Sequence, residues 1–77
     1  MIKVNSVKAK EDYILHVRLS NGKEGLFDVK PYLEKGIFTE LKDKNFFELV
    51  KPAFCGIVWP HEQDFSADTI ECEMQSI

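Results

Sequence analysis

Little in this chain points outward from a small globule. It has two cysteines, Cys55 and Cys72, among 77 residues, too few for the dense disulfide scaffold of a small secreted protein, and neither belongs to a CxxC pair. Both therefore read as buried, reduced thiols. Four glycines and three prolines leave no linker-like or low-complexity stretch, and no internal repeat is visible. Long apolar runs are missing as well. The longest are Tyr13-Ile14-Leu15, Ala53-Phe54-Cys55 and Ile57-Val58-Trp59, against the roughly 20 residues a membrane helix needs. The N-terminus alternates without the continuous apolar stretch of a secretory signal, so a cytoplasmic location and no membrane contact are expected.

Positive charge is scarce too. Nine lysines and the single Arg18 face 13 acidic side chains, a formal charge of −3. Nucleic-acid binding draws most of its affinity from Lys and Arg neutralising phosphates, so direct binding by this chain alone is not expected. Its 44% apolar content describes one small, slightly acidic domain over residues 1–77. A chain this short hides only about 60% of its unfolded surface on folding, enough for one thin core and no deep cleft.

Periodicity supplies the elements. Ile2 to Lys10 suits an edge strand whose lysines discourage pairing with other molecules. Tyr13 to Ser20 alternates, with Tyr13, Leu15, Val17 and Leu19 turned inward. Asn21-Gly22 marks a hairpin, since both residues tolerate positive φ. A two-residue turn would set Asp28 opposite Leu15 and Glu24 opposite Leu19, stranding carboxylates on the apolar face. A three-residue loop, Ser20-Asn21-Gly22, instead pairs Phe27 with Leu15, Val29 with Tyr13 and Arg18 with Glu24. Pro31 then opens a short helix to Lys35, closed by Gly36. Thr39 is expected to cap Glu40–Lys42 and Asp43 to cap Lys44–Val50. The inward stripe is Phe38, Leu41, Phe46 or Phe47, and Leu49 or Val50. Phe54 to Trp59 reads as a central strand buried on both faces, ended by Pro60. Ser66 is placed to cap a last helix from Ala67 towards Glu73.

The spacing of these residues resembles the bacterial domain-of-unknown-function family 2442. The similarity lies in Val17 to Gly22, in Phe27-Asp28-Val29 to Leu33, and in Gly36-Ile37-Phe38-Thr39-Glu40-Leu41-Lys42-Asp43 with Phe46-Phe47. It continues in Gly56-Ile57-Val58-Trp59-Pro60 leading to Asp64-Phe65. The motif positions are Gly36, Phe38, Leu41, Asp43, Trp59, Pro60 and Asp64. The resemblance implies an α+β fold, a small antiparallel sheet with short helices packed on one face, and no established activity. It implies a small accessory protein, of a kind sometimes encoded beside another small protein as toxin and antitoxin are, or fused to a helix-turn-helix. This chain ends at Ile77 without such an extension, which argues against operator binding. His61 stands where the family often has Asn, so no role of that amide carries over.

The densest polar cluster is His61-Glu62-Gln63-Asp64 with Asp68, Glu71, Cys72 and Glu73. Its spacing matches neither a zinc knuckle nor a calcium loop. Asp64 is expected to brace the turn after Pro60 by accepting backbone N–H bonds, with His61 and Glu62 solvated. His16, with Asp28 on the same outer face, could act as a base, but the sequence offers no nucleophile or orienting group. Glycines form no phosphate loop, so no nucleotide cofactor is expected. The nine aromatics, Trp59, Phe38, Phe54 and Phe65 among them, are assigned to the core.

The leading expectation is a non-catalytic interaction or regulatory module that binds a small protein partner, or a homodimer, through a free sheet edge of the first strand or hairpin. The alternative is a small hydrolytic or metal-dependent enzyme using His61, Asp64 and Asp68. A nucleic-acid-binding subunit acting only within a complex is a third.

Overall fold

A computed structural model describes residues 1–77. In chain order the strands are β1 (Val4–Ala9), β2 (Ile14–Leu19), β3 (Glu24–Asp28), β4 (Lys51–Ala53), β5 (Gly56–Val58), β6 (Asp64–Ser66) and β7 (Gln75–Ser76). Two α-helices, α1 (Lys44–Phe47) and α2 (Ala67–Glu73), accompany 3-10 turns at Glu11–Tyr13, Lys30–Tyr32 and Gly36–Lys42. The fold is α+β, but its strands divide between two antiparallel sheets, ordered β1-β2-β3-β7 and β4-β5-β6.

Carboxylate placement selects the hairpin register. Leu15 pairs with Phe27 and Arg18 with Glu24, and the Val29 amide donates to the Tyr13 carbonyl at 3.0 Å. Gly22 takes φ +89° in the loop, a conformation that costs a glycine nothing. Pairing of β1 with β2 shifts register between Val4 and Ser6. That extra residue puts Val4, Val7 and Ala9 opposite Leu19, Val17 and Leu15, so residues three apart share the inner face.

Tyr13 departs from the expected strand. It sits in the turn before β2 at φ +60°, half-buried, its hydroxyl donating to the Lys42 carbonyl and its ring edge-on to Phe47 at 5.3 Å.

The middle segment is helical as expected, but in 3-10 form at Lys30–Tyr32 and Gly36–Lys42, with α-helix only at Lys44–Phe47. Pro31 lies in the 3-10 turn Lys30–Tyr32, and Gly36, at φ +45°, begins the run Gly36–Lys42 instead of closing a helix. Thr39 is therefore interior to that run, its hydroxyl donating to the Gly36 carbonyl at 3.0 Å, and does not cap it. Asp43 caps α1 as expected, accepting the Asn45 amide at 2.9 Å. The helix stops at Phe47 rather than Val50, because β4 starts at Lys51 and the chain must turn first. Leu41 and Phe47 are buried, Phe38, Phe46 and Val50 half-buried, and Leu49 is exposed. Ser66 caps α2 through the Thr69 amide at 3.2 Å.

The largest correction concerns Phe54 to Trp59. Ala53 pairs with Gly56, so Phe54-Cys55 is a two-residue hairpin turn and the central strand of the second sheet is only Gly56–Val58. Phe54 is 97% exposed, not a core residue. Neither thiol is buried: Cys55 is half-buried in this turn and Cys72 is exposed on α2, whose inward positions belong to Ala67 and Ile70.

Both sheets share one core of 14 buried residues, including Leu15, Val17, Phe27, Leu41, Phe47, Ile57, Trp59, Phe65 and Ile70. Packing of Phe27, Tyr32 and Phe38 around Phe65 joins the first sheet to the second. The hairpin edge is not free, because β7 pairs with β3 at Gly25 and Leu26. On the other side β1 lies alongside β4 without joining its ladder. No helix is long and apolar enough to cross a membrane.

Candidate functional site

Asp64 does not brace the loop between β5 and β6. The Trp59 amide donates to the Gln63 carbonyl at 2.9 Å and the Glu62 amide to the Trp59 carbonyl at 3.1 Å, which folds Pro60 to Gln63 into a tight turn with Glu62 at φ +74°. The Gln63 side chain locks it down. At 0% exposure, its Nε2 donates to the Ile37 carbonyl at 2.9 Å and to Glu40 Oε1 at 3.0 Å. Glu40 Oε2 in turn lies 2.7 Å from His61 Nδ1, with the Phe46 ring 5.1 Å from the imidazole. One side of the loop is thus fastened to the Gly36–Lys42 turn. Gln63 Oε1 is buried with no partner, a deficit worth about 1–3 kcal/mol.

The other side of the loop belongs to the second sheet. Gly56 lies opposite Ala53 and Ser66, and Val58 opposite Lys51 and Asp64. By the two-residue alternation of strands these side chains share one face, turned away from Pro52, Ile57 and Phe65. The small residues leave a shallow concavity of about 430 Å³, bordered by Phe54 at one end and by Glu62 and Asp64 at the other. Gly56 has no room for a side chain, since a Cβ there would lie 2.0 Å from the Phe65 carbonyl oxygen.

Part of the backbone strain lies on the same face, the rest at Asp12 and Tyr13 before β2. Four non-glycine residues have positive φ, and two of them, Phe54 at +51° and Glu62 at +74°, border the concavity. A bulky residue in this region is unfavourable, and such conformations cluster at functional sites.

The family model described as Protein of unknown function (DUF2442) matches residues 4–74. The chain belongs to the DUF2442 family. No curated protein and no solved structure matches it.

The DUF2442 motif positions fall into three settings. Leu41 and Trp59 are buried and Phe38 is half-buried in the core, the Trp59 Nε1 donating to the Phe47 carbonyl at 2.8 Å. Gly36 and Asp43 begin the turn and helix that carry Glu40 and Phe47. Pro60 and Asp64 are exposed at the β5–β6 loop. The remaining polar candidates do not converge. His61 is taken up by Glu40, Asp64 stands on β6 and Asp68 in the first turn of α2, and no three metal-ligating side chains gather.

The partner of His16 is Glu24, at 2.5 Å, not Asp28. His16 pairs with Leu26, whose same-face neighbour along β3 is Glu24, while Asp28 caps its own turn by accepting the Lys30 amide at 2.9 Å. Arg18 also reaches Glu24, at 3.6 Å.

Two acids of α2 tie that helix to the rest. Glu73 accepts the Tyr32 hydroxyl at 2.5 Å, and this bond, followed by lost hydration, raises the phenol above its ordinary range. Glu71 accepts from Asn21 at 2.7 Å and pairs with Lys23 at 3.3 Å, which hold its carboxyl below the ordinary 4.5.

Two features of the β4–β5 and β5–β6 turns escape sequence reading. Phe54-Cys55 lacks the Gly or Asn that normally announces a two-residue turn. Gln63 looks like one more solvated residue between Glu62 and Asp64.

Proposed function

We propose that this chain is a non-catalytic interaction module, a small bacterial cytoplasmic accessory protein of the antitoxin kind that binds another small protein. The observation that carries the reading is Phe54, 97% exposed at the tip of a hairpin in a backbone conformation that disfavours it. Exposure of one apolar side chain is ordinary, but a bulky residue that keeps an unfavourable backbone conformation while gaining nothing from the core supports a role in contacts outside the molecule. The contact surface is accordingly the outer face of β4, β5 and β6, in place of the hairpin edge that β7 occupies. The enzyme alternative loses its support, because His61, Asp64 and Asp68 stand on separate elements and His61 is engaged by Glu40.

Affinity capture of the tagged protein at native expression level, with the stoichiometry of whatever co-purifies, tests this function. A discrete small protein at one-to-one stoichiometry is expected. A strictly monomeric protein that returns alone overturns it.

A further inference from the structure

Phe54, Val58, Glu62 and Asp64 stand on one face of the second sheet, around a concavity floored by small residues. The concavity on that face is small. At about 430 Å³ it falls at the lower end of the range for ligand pockets, about 300–1,000 Å³, room for one or two side chains rather than a folded surface. The polar part is one-sided. Glu62 and Asp64 are both exposed on the lining, and the protein as a whole carries −3, so the field at the rim favours a cation. Lys51 shares the face opposite Val58 and does not line the concavity.

We infer that this face binds a short segment of a partner protein carrying an apolar anchor flanked by Lys or Arg. The inference rests on the interaction-module reading and names the chemistry of its partner. The anchor packs against Phe54 and Val58 above the floor of Ala53, Gly56 and Ser66, while the flanking cations meet Glu62 and Asp64. A second copy of this chain is a poor occupant. A two-fold contact places the same patch on both sides, which brings two acidic rims together.

The strained turn supplies a signature that a merely structural role lacks. Asn tolerates positive φ far better than Phe, and Phe54 makes no use of the core. Phe54→Asn is therefore expected to raise the melting temperature while weakening recognition, the pattern of a residue kept for binding at the expense of stability.

The test is a selection of a random dodecapeptide display library on the immobilised full chain. Affinities of the enriched peptides are then measured for the wild type, Phe54→Asn and the double charge reversal Glu62→Lys with Asp64→Lys. The expected result is enrichment of peptides that combine an aromatic or aliphatic residue with Lys or Arg. Their affinity should fall about tenfold or more in Phe54→Asn and in the charge reversal, and weaken with added salt. All altered positions are exposed, and the circular dichroism of each variant verifies that it folds. No enrichment, enrichment of acidic or uncharged peptides, or equal affinity for all three proteins overturns the inference. Self-association of the wild type that Phe54→Asn abolishes also overturns it, in favour of a second copy. If affinity capture finds a one-to-one partner that Phe54→Asn still holds, the interaction-module reading stands and this site does not.

Discussion

Trp59 ties the second sheet to α1. It is 1% exposed, lies 6.0 Å by ring centroid from both Phe47 and Phe65, and donates its indole N–H to the Phe47 carbonyl at 2.8 Å. It thereby joins α1, β5 and β6 in one contact. Trp59→Ala removes the largest fully buried side chain. Truncations of this kind cost about 3–5 kcal/mol, and the lost indole hydrogen bond adds about 1 kcal/mol, leaving the Phe47 carbonyl only the long bond from the Val50 amide at 3.4 Å. A chain of 77 residues, at about 0.05–0.15 kcal/mol per residue, holds about 4–12 kcal/mol in all. The variant is therefore expected to be largely unfolded or to lose most of its urea midpoint. Far-UV circular dichroism is the assay, because Trp59 is the only tryptophan and its fluorescence disappears with it. Trp59→Phe separates the terms, since it keeps a ring and loses the N–H, at about 0.5–1.5 kcal/mol for the hydrogen bond. A Trp59→Ala protein within about 1 kcal/mol of wild type would refute this account of the core.

Other expectations concern particular contacts. Asp43→Ala removes the acceptor of the Asn45 amide and should cost about 0.5–2 kcal/mol in chemical denaturation. Gly25→Ala places a Cβ 2.6 Å from the Gln75 carbonyl oxygen. It should release β7, seen as lost hydrogen-exchange protection at the Ile77 amide, which donates to Glu24, while the β2–β3 ladder stays protected. Glu71 has a folded-state pKa lowered from 4.5, chiefly by its bond to Asn21. Its contribution to stability is therefore complete above the unfolded value and disappears as pH falls through the lowered one. Asn21→Ala should move the Glu71 carboxyl upward in a carbon-detected NMR titration, and should reduce stability at about pH 6 more than at about pH 3.

Where an element's faces differ chemically, its place could be read in advance. The β2–β3 register followed from keeping Glu24 and Asp28 off the face that carries Leu15 and Leu19, and caps at Asp43 and Ser66 followed from side chains that satisfy backbone N–H groups locally. Such choices depend on neighbours in the chain or directly across a turn. The reading failed where a run was uniformly apolar. Phe54-Cys55-Gly56-Ile57-Val58-Trp59 has no polar residue to mark its turn, so nothing local separated a buried strand from a hairpin ending in an exposed Phe54.

The candidate site was legible only in outline. The Trp59-Pro60 to Asp64 segment stood out by composition, and it does form the loop between β5 and β6. Which of its side chains is buried was another matter. Gln63, not Asp64, is taken into the interior, because the Gly36–Lys42 turn brings the Ile37 carbonyl and Glu40 to it. Partners more than twenty residues away leave no trace in local pattern. His61 meets Glu40, twenty-one residues away, for the same reason, whereas His16 and Glu24 meet diagonally across the first hairpin, eight residues apart.

By itself, then, the sequence determined the α+β class, the first hairpin and its register, the caps at Asp43 and Ser66 and the buried place of Trp59, all of which follow from local propensity and the cost of burying charge. Only the tertiary structure decided that the strands form two sheets, that β7 covers the edge of β3, and that Phe54, Glu62 and Asp64 surround one shallow face. Those outcomes depend on close approaches between distant segments, such as Gly56 against Phe65 and Gly25 against Gln75, which packing alone selects.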